Sequence, residues 1–295
     1  MRYSSSRVLV VVWNDQLGSP KNRGFRKIMM KSLYIASLEP NSGKLVVTLG
    51  VMEMLSRQVN RLGFFRSLSP VAAEEDSHIQ LLANRFKLSL TPAQMVGVTH
   101  DQARTWLASG EERRLFREIV SRFKQAEALC DFLLVEGPDI THLSDAFNYD
   151  VSIRIARELG TPALYVSSGL NTSTSDLTEN IRIAEQTFKQ LKCPLLGIIV
   201  NRVDPENIDA IRTELEEQCA AGLSINFLPE EKYFSNPTME EVVVALDAEW
   251  FSGPKAGLHR NPALFKAVVF KGVSPAKRVS VPCDFALRLS AISRR

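Results

Sequence analysis

The chain has 295 residues, 45% hydrophobic and 23% charged, with a formal net charge of +3 at pH 7. These values exclude a collagen-like or wholly disordered chain and allow one large domain or two small ones. No apolar run reaches the roughly 18 residues that a membrane span requires.

In chain order, residues 1–29 carry six basic residues and one acidic residue. The run Val8–Trp13 follows Arg2 and Arg7, but Asn14 and Asp15 end it without a small-residue cleavage site, so it is not read as a secretory signal. Ser32–Ser37 is a short apolar run before a turn, as in a buried strand. From Leu45 to Leu62, apolar residues recur at helical spacing (Val47, Val51, Met54, Leu55, Leu62), and Gly63 is expected to stop that helix. Phe64–Phe65 opens a second strand. Residues 74–128 read as mostly helical, with capping-box spacing at Thr91–Gln94 and again at Thr99–Gln102. A long charged helix is expected over Glu111–Cys130.

Three clearer strand–helix units follow. The strands are Phe132–Glu136, Ala163–Ser167 and Leu195–Val200. The helices are Asp150–Leu159, Ser173–Leu191 and Asp204–Ala220. Ile225–Leu228 is a last short strand, and Pro237–Leu246 a last helix capped by Asn236. Strands with few polar residues, separated by helices, predict an α/β fold with a doubly wound, mostly parallel sheet. Its ligand belongs at the carboxyl ends of the strands.

The first strand runs into Ser37-Leu38-Glu39-Pro40-Asn41-Ser42-Gly43-Lys44-Leu45, a degraded phosphate-binding loop in a strand–loop–helix context. Gly43 permits close backbone approach, and the Lys44 ammonium reaches phosphate oxygens. Two positions depart from the usual pattern. Ser37 stands at the first glycine. Leu45 stands where a hydroxyl normally meets Mg²⁺, and leucine offers no oxygen to a hard cation. Asn41, Ser42, Gly43 and Lys44 are the nucleotide-binding candidates. Glu136, at a strand end, is either a Mg²⁺ ligand or a turn cap. Asn201, at another strand end, offers a donor and an acceptor to an adenine edge, or forms a turn. Arg202 is read as a solvated residue, His100 and His142 as non-catalytic, Asp139 and Asp145 as ordinary loop carboxylates, and Trp106 with Leu107 as helix packing. No catalytic residue is assigned. The four cysteines (Cys130, Cys193, Cys219, Cys283) show no metal spacing and read as reduced thiols of a cytoplasmic protein.

Residues 31–250 resemble the N-terminal P-loop domain of the long, multidomain bacterial phosphate acetyltransferases, which is similar to dethiobiotin synthetase and cobyrinic acid a,c-diamide synthase. The segments that carry this are KSLYIASLEPNSGK, LGVMEMLSRQVNRLGFFRSLSP, LSLTPAQMVGVTHDQA, CDFLLVEGPDITHLSDAFNYD, LLGIIVNRVDP and NPTMEEVVVALDAE. The resemblance implies the reaction of acetyl-CoA with phosphate to give acetyl phosphate and CoA. It also implies a regulatory or oligomerising role for this domain, with acetyl transfer done by a separate catalytic domain. The cofactor expected is ATP with Mg²⁺ or another nucleotide, and otherwise none. The partners implied are another copy or the acetyltransferase domain, with neither membrane nor nucleic acid. The alternatives are an ATP-dependent carboxylate-activating enzyme of the dethiobiotin synthetase kind and a non-enzymatic nucleotide sensor.

The expected domains are a non-native or disordered extension over 1–29, with Met29 or Met30 as initiator, and the P-loop-like domain over 30–235. The start of a DRTGG-type middle domain follows over 236–250, then a basic tail over 251–295. The tail carries nine basic residues and one acidic residue, against 21 and 31 in residues 30–250. It is read as out-of-frame translation on a truncated, inactive chain. Its rival reading, a tail for RNA or acidic lipid, lacks the interleaved aromatics of a stacking platform.

Overall fold

The computed structural model describes residues 8–11, 27–138, 150–218 and 223–231. Strands β1 (Val8–Val11) and β2 (Lys27–Met30) pair antiparallel as a separate ladder. The expected helix over Pro237–Leu246, the middle-domain start and the basic tail lie outside the described residues, as do His142, Asp139 and Asp145.

The main element is a sheet of seven strands: β3 (Ser32–Ala36), β4 (Leu62–Ser69), β5 (Val96–Thr99), β6 (Phe132–Glu136), β7 (Ala163–Ser168), β8 (Leu195–Val203) and β9 (Ser224–Pro229). Every pairing is parallel, in the order β5-β4-β6-β3-β7-β8-β9. The sheet is wound in both directions from β3. The chain leaves β3 to build one side of the sheet, returns through β6, and crosses to build the other. The crevice at this reversal lies at the carboxyl ends of β3, β6 and β7. The α/β, doubly wound reading of the sequence holds.

The helices are α1 (Lys44–Ser56), α2 (Ser77–Arg85), α3 (His100–Ala108), α4 (Glu112–Leu129), α5 (Val151–Leu159), α6 (Thr174–Gln190) and α7 (Ile208–Gln218). α4 shows how the sequence directs packing. Leu115, Ile119, Phe123 and Ala126 recur at helical spacing and are its buried face, while its charged residues stay outside. Phe123 meets Phe65 of β4 edge-on, with ring centroids 5.9 Å apart. On the other side of the sheet Tyr165 meets Phe188 in the same way at 6.1 Å. Each such fully buried large side chain contributes about 1.5–3 kcal/mol.

The local start signals are used as expected. Thr99 caps α3, accepting from the Gln102 amide, while the Gln102 side chain accepts from the Thr99 amide at 3.0 Å. The same box at Thr91 starts a short 3-10 turn over Pro92–Met95 rather than a full helix. Two expectations are corrected. The helix expected to reach Leu62 ends at Ser56, and Leu62 and Gly63 belong to strand β4. Gly63 is a site of close packing: a Cβ there would run into the Cys130 sulfur and the Leu133 side chain. The stretch expected to be helical also contains an edge strand, β5.

Candidate functional site

The loop between β3 and α1 is built by local hydrogen bonds and one left-handed turn. Ser37 Oγ donates to the Glu39 carbonyl at 3.0 Å and accepts from the Glu39 amide at 3.2 Å. A hydroxyl side chain thus folds the turn where the common pattern has glycine. Glu39 reaches across to β7, its Oε1 accepting from the Ser168 amide at 2.6 Å. Asn41 and Gly43 both take positive φ, 54° and 79°. Glycine is required at 43 on two counts, the left-handed backbone and the lack of room: a Cβ would strike the amide nitrogen of Asn201. Asn201 itself is buried and donates through Nδ2 to the Ser42 carbonyl at 3.0 Å. The end of β8 therefore fastens the loop. Ser42 is buried too, and its Oγ has no hydrogen-bond partner among the described residues.

Helix α1 begins at Lys44 with no acidic residue in its first turn. Its amide dipoles present positive potential to the loop, uncompensated by a carboxylate of its own. Lys44 is buried and donates from Nζ to the Pro138 carbonyl at 3.1 Å. All four loop candidates, Asn41 to Lys44, therefore come together with Asn201, and Glu136 lies on the opposite flank.

Glu136 is fully buried and its oxygens are engaged by side chains from three other elements. Oε1 meets His78 Nδ1 at 2.7 Å and Arg66 Nε at 3.2 Å. Oε2 accepts from the Thr48 hydroxyl at 3.0 Å. Arg66, buried in β4, also bonds Asp76 Oδ2 from Nη1 at 2.7 Å. Asp76 caps α2 through Oδ1, accepting from the amides of His78 and Ile79, and its Oδ2 takes the Ser69 hydroxyl at 2.6 Å. Burial works to raise the Glu136 pKa. The hydrogen bond from His78, then the charges of His78, Arg66 and Lys44, outweigh it and hold the carboxyl below the ordinary value. Asp76 follows the same pattern: burial opposes ionisation, and Ser69 and Arg66 overcome it.

The donor set around Glu136 does not fit a Mg²⁺ ion. Magnesium needs oxygen ligands in near-octahedral array. Here the carboxylate already faces a guanidinium and an imidazole, and position 45 is leucine. Among the described residues no group of three or more His, Cys, Asp or Glu side chains is arranged to hold a metal.

A family model described as AAA domain matches residues 31–228. The chain belongs to this AAA-domain family. The chain is 27% identical over 228 residues to the phosphate acetyltransferase of Synechocystis, covering 76% of this chain and 33% of that protein. It is 28% identical to the phosphate acetyltransferase of Nitratidesulfovibrio vulgaris, over 76% of this chain and 33% of that protein. The chain thus spans about a third of the length of these curated relatives. Among solved structures, a Cyanothece McdA–ATP complex is 17% identical with a TM-score of 0.45, covering 70% of this chain and 85% of that one. An Archaeoglobus fulgidus nucleotide-binding protein with ADP is 16% identical with a TM-score of 0.41, covering 68% and 82%.

Other residues considered in the sequence sit apart from this site. Arg202 is tied to Glu230 by a two-pronged ion pair at 2.8 and 3.2 Å. The Trp106 ring lies under the Arg114 guanidinium at 4.8 Å. Cys130 and Cys193 are free thiols whose pKa values burial pushes up to about 11, so they are poor nucleophiles. No helix of the described residues is long and apolar enough to cross a membrane.

Arg66, Asp76, His78 and Thr48 are the site residues that motif reading passes over. One signal for them exists in the sequence. An arginine inside the buried strand Leu62–Ser69 needs a carboxylate partner.

Proposed function

We propose that these residues are the ligand-sensing and assembly domain of a phosphate acetyltransferase-family protein, and that acetyl transfer is carried by the part of its relatives outside this match. In this reading Asn41, Ser42, Gly43 and Lys44 hold the phosphates of a nucleotide. Asn201 fixes the loop that presents them. The observation that carries it is the orphaned Ser42 hydroxyl at the start of α1, a buried polar group in need of a partner. A phosphate oxygen supplies one. Binding also asks Lys44 to exchange the Pro138 carbonyl for a phosphate oxygen, a stronger, charge-assisted bond.

The alternative, ATP-dependent activation of a carboxylate, needs a metal held close to the loop. Leu45 and the engaged Glu136 speak against it. Calorimetry of the 295-residue chain with ATP, ADP and NADH, beside an assay for acetyl phosphate, tests the proposal. The expected outcome is heat with at least one nucleotide, lost in Lys44→Ala, and no acetyl phosphate. Acetyl phosphate formed by this chain refutes the division of labour. Absence of heat with every nucleotide refutes ligand sensing.

A further inference from the structure

The Glu136 cluster carries an inference about the form in which a ligand arrives, resting on the reading that the loop binds a nucleotide. The place beside the loop where a metal-dependent site keeps its carboxylate and its cation is already filled by protein. The carboxylate is Glu136. Its partners are side chains: the Arg66 guanidinium from β4 at 3.2 Å and the His78 imidazole from α2 at 2.7 Å. Thr48 from α1 takes the other oxygen at 3.0 Å. The charged groups facing this point are Lys44 on α1, Arg66 on β4, Asp76 and His78 at the start of α2, and Glu136 on β6. Lys44 and Arg66 stand as two fixed cations against the carboxylates of Asp76 and Glu136.

A divalent cation at Glu136 would have to share its Oε1 with the Arg66 guanidinium, 3.2 Å away, and like charges repel. The guanidinium cannot lose its proton to make way. Nor can it leave without stranding Asp76, which it bonds at 2.7 Å, as a second buried charge. The helix start offers no compensation, because residue 45 is leucine. An anion meets the reverse situation. It finds the amide dipoles of α1, the Lys44 ammonium and the unpartnered Ser42 hydroxyl.

We propose that this loop receives its phosphate-bearing ligand as the metal-free anion, with the Arg66 guanidinium and the His78 imidazole occupying the place beside Glu136 that a divalent cation would need. Metal-dependent binding and metal-free binding give opposite responses to chelation. The test is calorimetric titration with ATP in excess magnesium chloride and again in excess EDTA, on the natural chain and on Leu45→Ser. Leu45 is only partly buried, so the variant is expected to fold, and it restores the missing hydroxyl.

The expected result is an affinity in EDTA that equals or exceeds that in magnesium, to within about threefold, for both proteins. A larger gain on adding magnesium to the natural chain overturns the inference while leaving nucleotide binding intact. The same gain in Leu45→Ser also overturns it, because a cation would then be admitted to the loop despite Arg66 and His78. No heat in either buffer overturns both this inference and the nucleotide reading beneath it.

Discussion

The two flanks of strand β3 treat the same loop in different ways. Toward β6 and β4, the loop faces Glu136 at the end of β6, Arg66 within β4 and, beyond β4, Asp76 and His78, all tied together by contacts of 3.2 Å or less. Toward β7 and β8, the loop meets an amide and a backbone N–H, with Asn201 holding the Ser42 carbonyl and Ser168 holding Glu39. One flank sets the electrostatics and the other sets the shape. Charges act over several ångströms and tolerate small shifts, whereas a single amide bond depends on position to a few tenths. Charge and shape are therefore set by different flanks of the loop.

Substitutions on the two flanks test that separation. The largest effect is expected from Arg66→Met, which leaves Asp76 and Glu136 buried without their shared guanidinium. Removing one partner of a buried ion pair costs about 3–5 kcal/mol, and urea unfolding measures it. A loss no greater than that of an exposed ion pair would show that the charged flank bears little stability.

Acid is the next lever. Both carboxyls sit below their ordinary values of 4.5 and 3.8 in the folded chain. The unfolded chain therefore binds more protons in that range, and stability falls as pH drops below these values. Above them the contribution is fully present. Urea midpoints taken from neutral pH down through this window should fall for the natural chain. They should fall less steeply for Arg66→Met, whose carboxyls lose part of their depression. A change on the neutral flank should leave the slope untouched.

Gly43→Ala comes third. The left-handed backbone and the collision with Asn201 together cost about 2 kcal/mol. Asn201→Ala is smallest alone, about 1 kcal/mol for one lost hydrogen bond, but it empties the space that a Cβ at 43 would need. The double variant should then be less damaged than the two singles added together. Strict additivity in a double-mutant cycle would mean that the shape-setting contact is not what excludes a side chain at 43.

The sequence made some of this legible and hid the rest for physical reasons. Strands β3, β6 and β7 announce themselves as buried apolar runs because both sheet faces are covered. Strand β5 does not: it has four residues with a glycine among them, at the sheet edge, between two capping boxes that speak for helix. The end of α1 was obscured because Val59 and Leu62 continue the apolar spacing after the helix has stopped, one in the connection and one in the next strand. At the site, Gly43, Lys44, Glu136 and Asn201 stand out because each sits at a strand end or helix start, where position implies chemistry. Thr48 and His78 have no such mark. They join Glu136 only through a fold that brings residues 48, 78 and 136 together, and no local spacing encodes that.

The placement of β6 between β4 and β3 has a consequence for how the chain is made. Strands β3 and β4 leave the ribosome early, but neither can pair with the other: β4 can meet β5 first, whereas β3 waits for β6, where Ser32 meets Leu133 and Leu62 meets Phe132. About 100 residues separate β3 from that partner, so at roughly 5–20 residues per second it spends about 5–20 s with that edge unmet. Most of the site waits with it, because Glu136 is the last residue of β6 and the anchor that Arg66 and His78 require. Any nascent chain that stalls before Phe132 emerges with a buried-type strand, SLYIA, still looking for an edge, and is a substrate for chaperones rather than for folding.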